Sequence, residues 1–178
     1  MTFSITAMRR GSARDRIGLK EDYTMLEWIP KHEAGRPLRI LCLGAHSDDI
    51  EIGCGAALLQ AGQSAPSPEV RWVVFSGGRS RAEEARSSAA FWLECSDSSQ
   101  VDLHTFRDGF FPAEWAAIKE EFEKLKRSFE PDLIMTHARD DLHQDHRIIH
   151  DLTWNTFRNH CILEYEIPKY DGDLGSPN

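Results

Sequence analysis

The sequence predicts an α/β protein, a mainly parallel sheet with helices on both faces. Two observations carry that expectation. Short apolar runs bounded by proline or glycine recur along the chain, the pattern of buried strands. Longer segments with helical character lie between them, so strand and helix alternate from Pro37 onward.

The elements follow in order. LRILCLG (38–44) stands after a proline and ends on a glycine, and reads as the first strand. DIEIGCGAALLQAG (49–62) reads as a helix closed by Gly62, and QSAPSPE (63–69) as a loop. VRWVVFS (70–76) is the second strand and RSRAEEARSSAAFWLE (79–94) the second helix. VDLHTF (101–106) is a third, weaker strand, followed by the loop RDGFFP. AEWAAIKEEFEKLKRSF (113–129) is an amphipathic helix with Trp115, Ile118, Phe122, Leu125 and Phe129 on one side. DLIMTH (132–137) is the fourth strand, ARDDLHQDHR a polar loop, 147–160 the fourth helix and ILEYEIP (162–168) a fifth strand. Residues 1–36 form an N-terminal extension, partly disordered, with a short helix at TMLEWIPK (24–31). Residues 37–178 form the α/β domain.

The totals exclude several classes. A chain of 178 residues suits one domain with a sizeable core. Its net charge of −8, from 21 basic and 29 acidic side chains, argues against a nucleic-acid partner, which needs a basic face. No apolar run approaches a membrane span, and the polar N-terminus lacks the apolar core of a secretory signal. Cys42, Cys54, Cys95 and Cys161 make no C-x-x-C pair and read as reduced small hydrophobes of a cytoplasmic protein.

The function signal starts at AHSDDIEIGCG (45–55), where one histidine and three carboxylates fall between His46 and Glu51, at the end of a buried strand. Carboxylates there are costly unless a cation, an arginine or a helix N-terminus meets them. A second polar cluster, His143-Gln144-Asp145-His146, lies beyond the carboxyl end of the fourth strand. In sheets of this kind ligands sit outside the carboxyl ends of the strands, where strand order reverses. The two clusters then bring three imidazoles and three carboxylates to one crevice. Three such groups suffice for a catalytic divalent ion. A spare carboxylate serves as general base, and a spare histidine stabilises an oxyanion. The plainer alternative for either cluster is a helix cap, with Asp48, Asp49 or Asp145 satisfying free N–H groups. A dinucleotide-binding protein needs G-x-G-x-x-G after its first strand. The turn here is GAHSDD, whose two carboxylates repel a pyrophosphate.

AHSDDIE with GCGA after it resembles the A-H-P-D-D-x-E…G-G motif of the LmbE-like, or PIG-L, family of metal-dependent de-N-acetylases, and DLHQDHR resembles that family's H-P-D-H motif. The resemblance spans roughly residues 38–168. It implies a Rossmann-like fold and zinc-dependent hydrolysis of an N-acetyl group on an amino sugar or glycoconjugate, another divalent ion such as Fe2+ also being compatible. It implies His46, Asp49 and His146 as metal ligands and Asp48 as general base. It implies His143 as the oxyanion-stabilising residue and Asp145 as the carboxylate that orients a catalytic histidine. Ser47 and Gln144 replace the usual prolines, which lowers the rigidity of each loop. Ala56 stands at a common glycine, which loosens the helix–strand approach there. Family members usually run further, with C-terminal segments that wall the substrate pocket, whereas this chain stops at Asn178 in what reads as a loop. The expectation is therefore of a chain short at its C-terminus or completed by a partner, with a truncated, non-catalytic subunit or binding module as the alternative function.

The expected partner is a small N-acetylated sugar, and nothing in the sequence opposes a homo-oligomer. Arg81, in an R-x-x-E with Glu84, matches a family position that reaches toward the sugar pocket; an exposed helical pair is the equal alternative. Asp108 suits a sugar hydroxyl or a turn-forming Asp-Gly. Arg139 and Asp140 sit on the loop toward His143 and suit substrate contact. Phe110, Phe111 and Trp115 read as core first and sugar-stacking second. His137 is expected beside the site rather than as a ligand. His32, His104, His150 and His160 carry no partner pattern.

Overall fold

The computed structural model describes residue 33 and residues 35–78, 82–96 and 98–168. The expected helix at 24–31, Arg81 and the polar tail lie outside the described residues.

Pro37 precedes the first strand, β1 (Arg39–His46). Its entry is fixed electrostatically. Arg36 pairs with both carboxylate oxygens of Asp132 at 2.7 Å, and Asp132 also accepts the Arg39 N–H at 2.8 Å. Burial pushes the Asp132 carboxyl up, but these donors outweigh it and hold the group below its ordinary range. The start of β1 is thereby tied to β4 (Leu133–His137).

The remaining elements are α1 (Asp49–Ala61), β2 (Glu69–Ser76), α2 (Ala82–Trp92), β3 (Ser98–Leu103), α3 (Trp115–Ser128), α4 (Gln144–Thr156) and β5 (Cys161–Tyr165). The five strands form one sheet in the order β3-β2-β1-β4-β5, with every pairing parallel. The chain runs outward from β1 through β2 to β3, then returns to the other side of β1 for β4 and β5. Strand order reverses between β1 and β4, so their carboxyl ends flank the crevice the fold reserves for ligands.

Side chains alternate across the sheet and split the core into two layers. Ile40, Cys42, Val70, Trp72 and Met135 face α1 and α2 with Ile50, Leu58 and Ala89, and Leu93 from the turn after α2. Leu41, Leu43, Val73, Phe75 and Ile134 face α3 and α4 with Ile118, Phe122, Leu125, Ile149 and Leu152. Burying this apolar surface is the main stabilising term.

Several sequence expectations shift. The third strand starts at Ser98 rather than at 101, because polar Ser98–Gln100 pair with Glu69–Arg71 at an edge where solvent satisfies their side chains. It ends at Leu103, and Thr105 instead makes an antiparallel bridge to Ser76. In α3, Ile118, Phe122 and Leu125 are buried, but Trp115 at its start is 44% exposed. The close approaches on α1 occur at Gly53, where a Cβ would stand 2.1 Å from the Tyr165 ring, and at Gly55, where it would stand 2.9 Å from Trp92. Ala56 is exposed, so the looser approach expected there does not arise.

Candidate metal centre

His46 is the last residue of β1 and Asp49 the first of α1. The intervening turn is closed by Asp49 itself, whose Oδ2 accepts the His46 N–H at 2.7 Å. Asp48 occupies the N-cap position, but its side chain makes no capping bond and is exposed. Helix capping therefore does not account for Asp48. At the other strand end α4 begins at Gln144, three residues earlier than its apolar pattern suggests. The early start has a local cause. His143 caps the helix, its Nδ1 accepting the Asp145 N–H at 3.2 Å. Asp145 and His146 then point from the first turn of α4 toward β1.

Three groups meet between these ends. His46 Nδ1 lies 3.2 Å from His146 Nε2. The Asp49 carboxylate lies 3.5 Å from His46 Nδ1 and 3.4 Å from His146 Nε2. Ligands at about 2.1 Å on a tetrahedral ion are separated by about 3.4 Å, so these spacings fit a zinc-sized ion. The donor set, two imidazoles and a carboxylate, is one such ions accept. Asp49 and His146 are nearly buried, while the His46 side chain keeps 18% of its surface. Access from one side remains, as a catalytic ion requires.

The protonation pattern follows the same geometry. Burial pushes the Asp49 carboxyl up, but the imidazoles of His137, His146 and His46 packed around it overcome that and hold it well below its ordinary value. Burial pushes His146 down, yet Asp141 and Asp49 raise it to about 9. His46 is raised as well, burial being outweighed by Asp49. The centre is thus built to hold positive charge.

Behind it lies a buried support. Asp141 accepts from His146 Nδ1 at 2.8 Å and from the His143 N–H at 2.7 Å. His137, fully buried, stacks on His146 with ring centroids 3.9 Å apart. Its Nε2 accepts the Ala45 N–H at 3.0 Å, and burial lowers its pKa to about 4. That keeps it neutral. The Tyr165 hydroxyl donates to the Leu43 carbonyl at 2.6 Å and closes the floor. Asp141 and Tyr165 were not among the sequence candidates. Asp141 was visible as a carboxylate inside DDLHQDHR; Tyr165 carried no signal.

The front is open. Asp145, fully buried, places Oδ2 3.3 Å from His46 Nε2 and also accepts the N–H groups of Gly109 (2.6 Å) and Phe111 (3.1 Å). It lies against His46 and anchors the 107–111 loop. Asp108 on that loop is 74% exposed, with Oδ1 3.1 Å from His46 Nε2. The His143 ring stands edge-on to His46 at 4.9 Å. Burial, His146 and His46 lower its pKa. Arg139 is exposed on the turn after β4, and its N–H donates to Glu164 rather than to the cluster. Phe111 is buried core, while Phe110 is exposed with Arg107 over its ring. His150, structural on the sequence reading, has Asp151 and Glu164 as partners, both at 3.1 Å.

Among the described residues two other triads also lie within ligand range, His46–Asp108–His143 and His137–Asp141–His146. The first rests on an exposed carboxylate. The second is buried on every side, with the His137 ring turned by its bond from Ala45. The His46–Asp49–His146 group alone combines a buried carboxylate with an open side.

A family model, the PIG-L GlcNAc-PI de-N-acetylases, matches residues 41–157, well over half the chain. The chain belongs to the PIG-L family. Both motif clusters lie inside the matched segment. An uncharacterised deacetylase of Escherichia coli K12, YaiS, is 28% identical over 139 residues, 72% of this chain and 74% of its own length. The N,N'-diacetylchitobiose deacetylase of Pyrococcus horikoshii shares the fold at 22% identity and a TM-score of 0.52, over 66% of this chain. This PIG-L chain spans 48% of that enzyme's length. The zinc-inhibited form of the teicoplanin deacetylase Orf2 superposes with a TM-score of 0.60 at 16% identity, covering 78% of this chain and 73% of its own. Among the described residues no helix is long and apolar enough to cross a membrane.

Proposed function

We propose that the chain is a metal-dependent hydrolase that removes an N-acetyl group from an amino sugar or glycoconjugate. The observation that carries this is the approach of His46 Nδ1, His146 Nε2 and the Asp49 carboxylate to within 3.2–3.5 Å of one another on the open side of a buried support. Family membership supplies the reaction class. Zinc is the proposed ion, on the strength of the donor set; Fe2+ also suits these donors. The Orf2 neighbour is described in a form that zinc inhibits, so the zinc added in any assay is titrated from one equivalent upward.

His46, Asp49 and His146 would hold a divalent ion, which would supply a water of lowered pKa and polarise the amide carbonyl. The protein does the rest. Asp48, free of capping duty, takes the proton of the attacking water at its carboxylate. The Asp145 N–H on His143 Nδ1 leaves the ring proton of the neutral imidazole on Nε2. From there His143 donates to the oxyanion as the amide carbon becomes tetrahedral. The C–N bond breaks as the proton that Asp48 took from the water passes to the leaving nitrogen, giving acetate and a free amine. Asp141 and Asp145 hold His146 and His46 in their tautomers and orientations.

Asp108, exposed at the mouth, is the proposed contact to a sugar hydroxyl; Arg81 and Arg139 remain proposed contacts on the sequence pattern. Free thiols at Cys42, Cys54, Cys95 and Cys161 fit a cytoplasmic setting. An acetate-release screen over N-acetylated sugars, run with added zinc and with a chelator, tests the proposal. Zinc-dependent release is expected. A protein that binds zinc and releases no acetate from any of them is instead the non-catalytic binding module.

A further inference from the structure

Gln144 lies between His143 and Asp145, at the first position of α4. Its side-chain amide donates a hydrogen bond to the Gly109 carbonyl. The N–H of the same glycine is held by Asp145 at 2.6 Å. One helical turn therefore grips both polar groups of Gly109, a residue whose φ of +78° already demands glycine. The residue gripped is the one directly after Asp108. An aspartate 74% exposed on a loop stays 3.1 Å from His46 Nε2 only if its backbone is fixed. Asp145 is buried and also serves His46, so it is not free to vary. Gln144 is exposed, and its amide bonds to the loop rather than to the metal-ligand triad, which leaves it as the independent part of the grip.

We propose that Gln144 is a positioning residue for substrate: by holding the Gly109 carbonyl it sets where Asp108 presents its carboxylate at the mouth of the site. It acts on substrate binding and not on the metal or the chemical step. A proline at this position would leave the carbonyl unheld, so the glutamine restores through its side chain the order that its backbone gives up. The proposal rests on the deacetylase reading above, in which Asp108 meets the sugar.

Gln144→Glu is the test. It keeps the shape, removes the donor and sets an oxygen against the carbonyl. A carboxylate in the first turn favours the helix, so the fold is not weakened there. Gln144→Pro is the second variant, since proline is accepted at the first helical position and His143 is already extended, with ψ 120°. Both variants are expected to speed amide exchange over residues 107–111 and to raise KM about two- to tenfold, with kcat and bound zinc unchanged. In an Asp108→Ala background, Gln144→Glu is expected to raise KM no further. Unchanged exchange in both variants overturns the grip. A KM effect that persists undiminished without Asp108 overturns its route through that carboxylate. Wild-type protein that releases no acetate, with exchange still faster in the variants, overturns the deacetylase reading and leaves the grip standing.

Discussion

His146 and His46 are both candidate ligands, and each presents its second ring nitrogen to a carboxylate; the two carboxylates differ. Asp141, behind His146, is 2% exposed and bonded at 2.8 Å to Nδ1. Asp108, in front of His46, is 74% exposed at 3.1 Å from Nε2, with buried Asp145 at 3.3 Å sharing the same nitrogen. The rear is packed against the stacked ring of His137 and the floor made by Tyr165. The front is a loop held by one helical turn. A buried charge pair holds geometry against solvent, whereas an exposed carboxylate can exchange its partner for a ligand. Under the function proposed above, the rear would retain the ion and the front would meet substrate and move protons.

The strongest effect is expected from Asp48, whose exposed side chain makes no capping bond. Asp48→Asn should lower turnover ~10²–10⁴-fold while the zinc content stays as in the wild type. Acetate release measured beside metal analysis checks both, and unchanged release removes Asp48 from the mechanism. The converse comes from Asp141→Asn at the rear. Loss of an outer carboxylate commonly costs ~10–100-fold in metal affinity. Competition with a chelating dye should show that loss for Asp141→Asn and a clearly smaller one for Asp108→Asn. Equal losses would erase the distinction between front and rear.

The rear also sets how metal-free protein responds to pH. His146 is raised to about 9 from an ordinary 6.5, so between those values the folded chain keeps a proton the unfolded chain has lost. Stability from that group is full below 6.5 and falls as pH rises toward 9. His137 is lowered to about 4, so its burial costs stability as pH falls from 6.5 toward 4. The melting temperature of chelated protein should therefore peak near 6.5 and decline on both sides. Because zinc displaces the His146 proton, the stabilisation it adds should grow between 6.5 and 9. A chelated protein whose melting temperature rises over that range would contradict the assignment. The smallest expected effect is at the floor: Tyr165→Phe removes the bond to the Leu43 carbonyl and should cost about 1 kcal/mol in denaturant unfolding, with zinc content retained.

Much of this was legible in the sequence, for physical reasons. β1 announced itself because Pro37 and Gly44 bracket an apolar run buried on both faces. The meeting of His46 with His146 followed from the rule that places ligands at strand carboxyl ends, and β1 and β4 are indeed neighbours. What escaped was information carried by side-chain contact rather than by period. Ser98–Gln100 look like loop because an edge strand needs no apolar pattern. The start of α4 was missed because His143, seldom a cap, supplies one. Asp141 reads as one more polar loop residue until the turn brings it against a ring five positions on. The grip of Gln144 on Gly109 crosses 35 residues and leaves no local trace.

The most direct test is a crystal structure of protein grown with one equivalent of zinc, with anomalous differences measured at the zinc edge. One peak is expected, within about 2.0–2.2 Å of His46 Nδ1, His146 Nε2 and an Asp49 oxygen. A zinc peak bound elsewhere, with those three groups left hydrogen-bonded to one another, would contradict it.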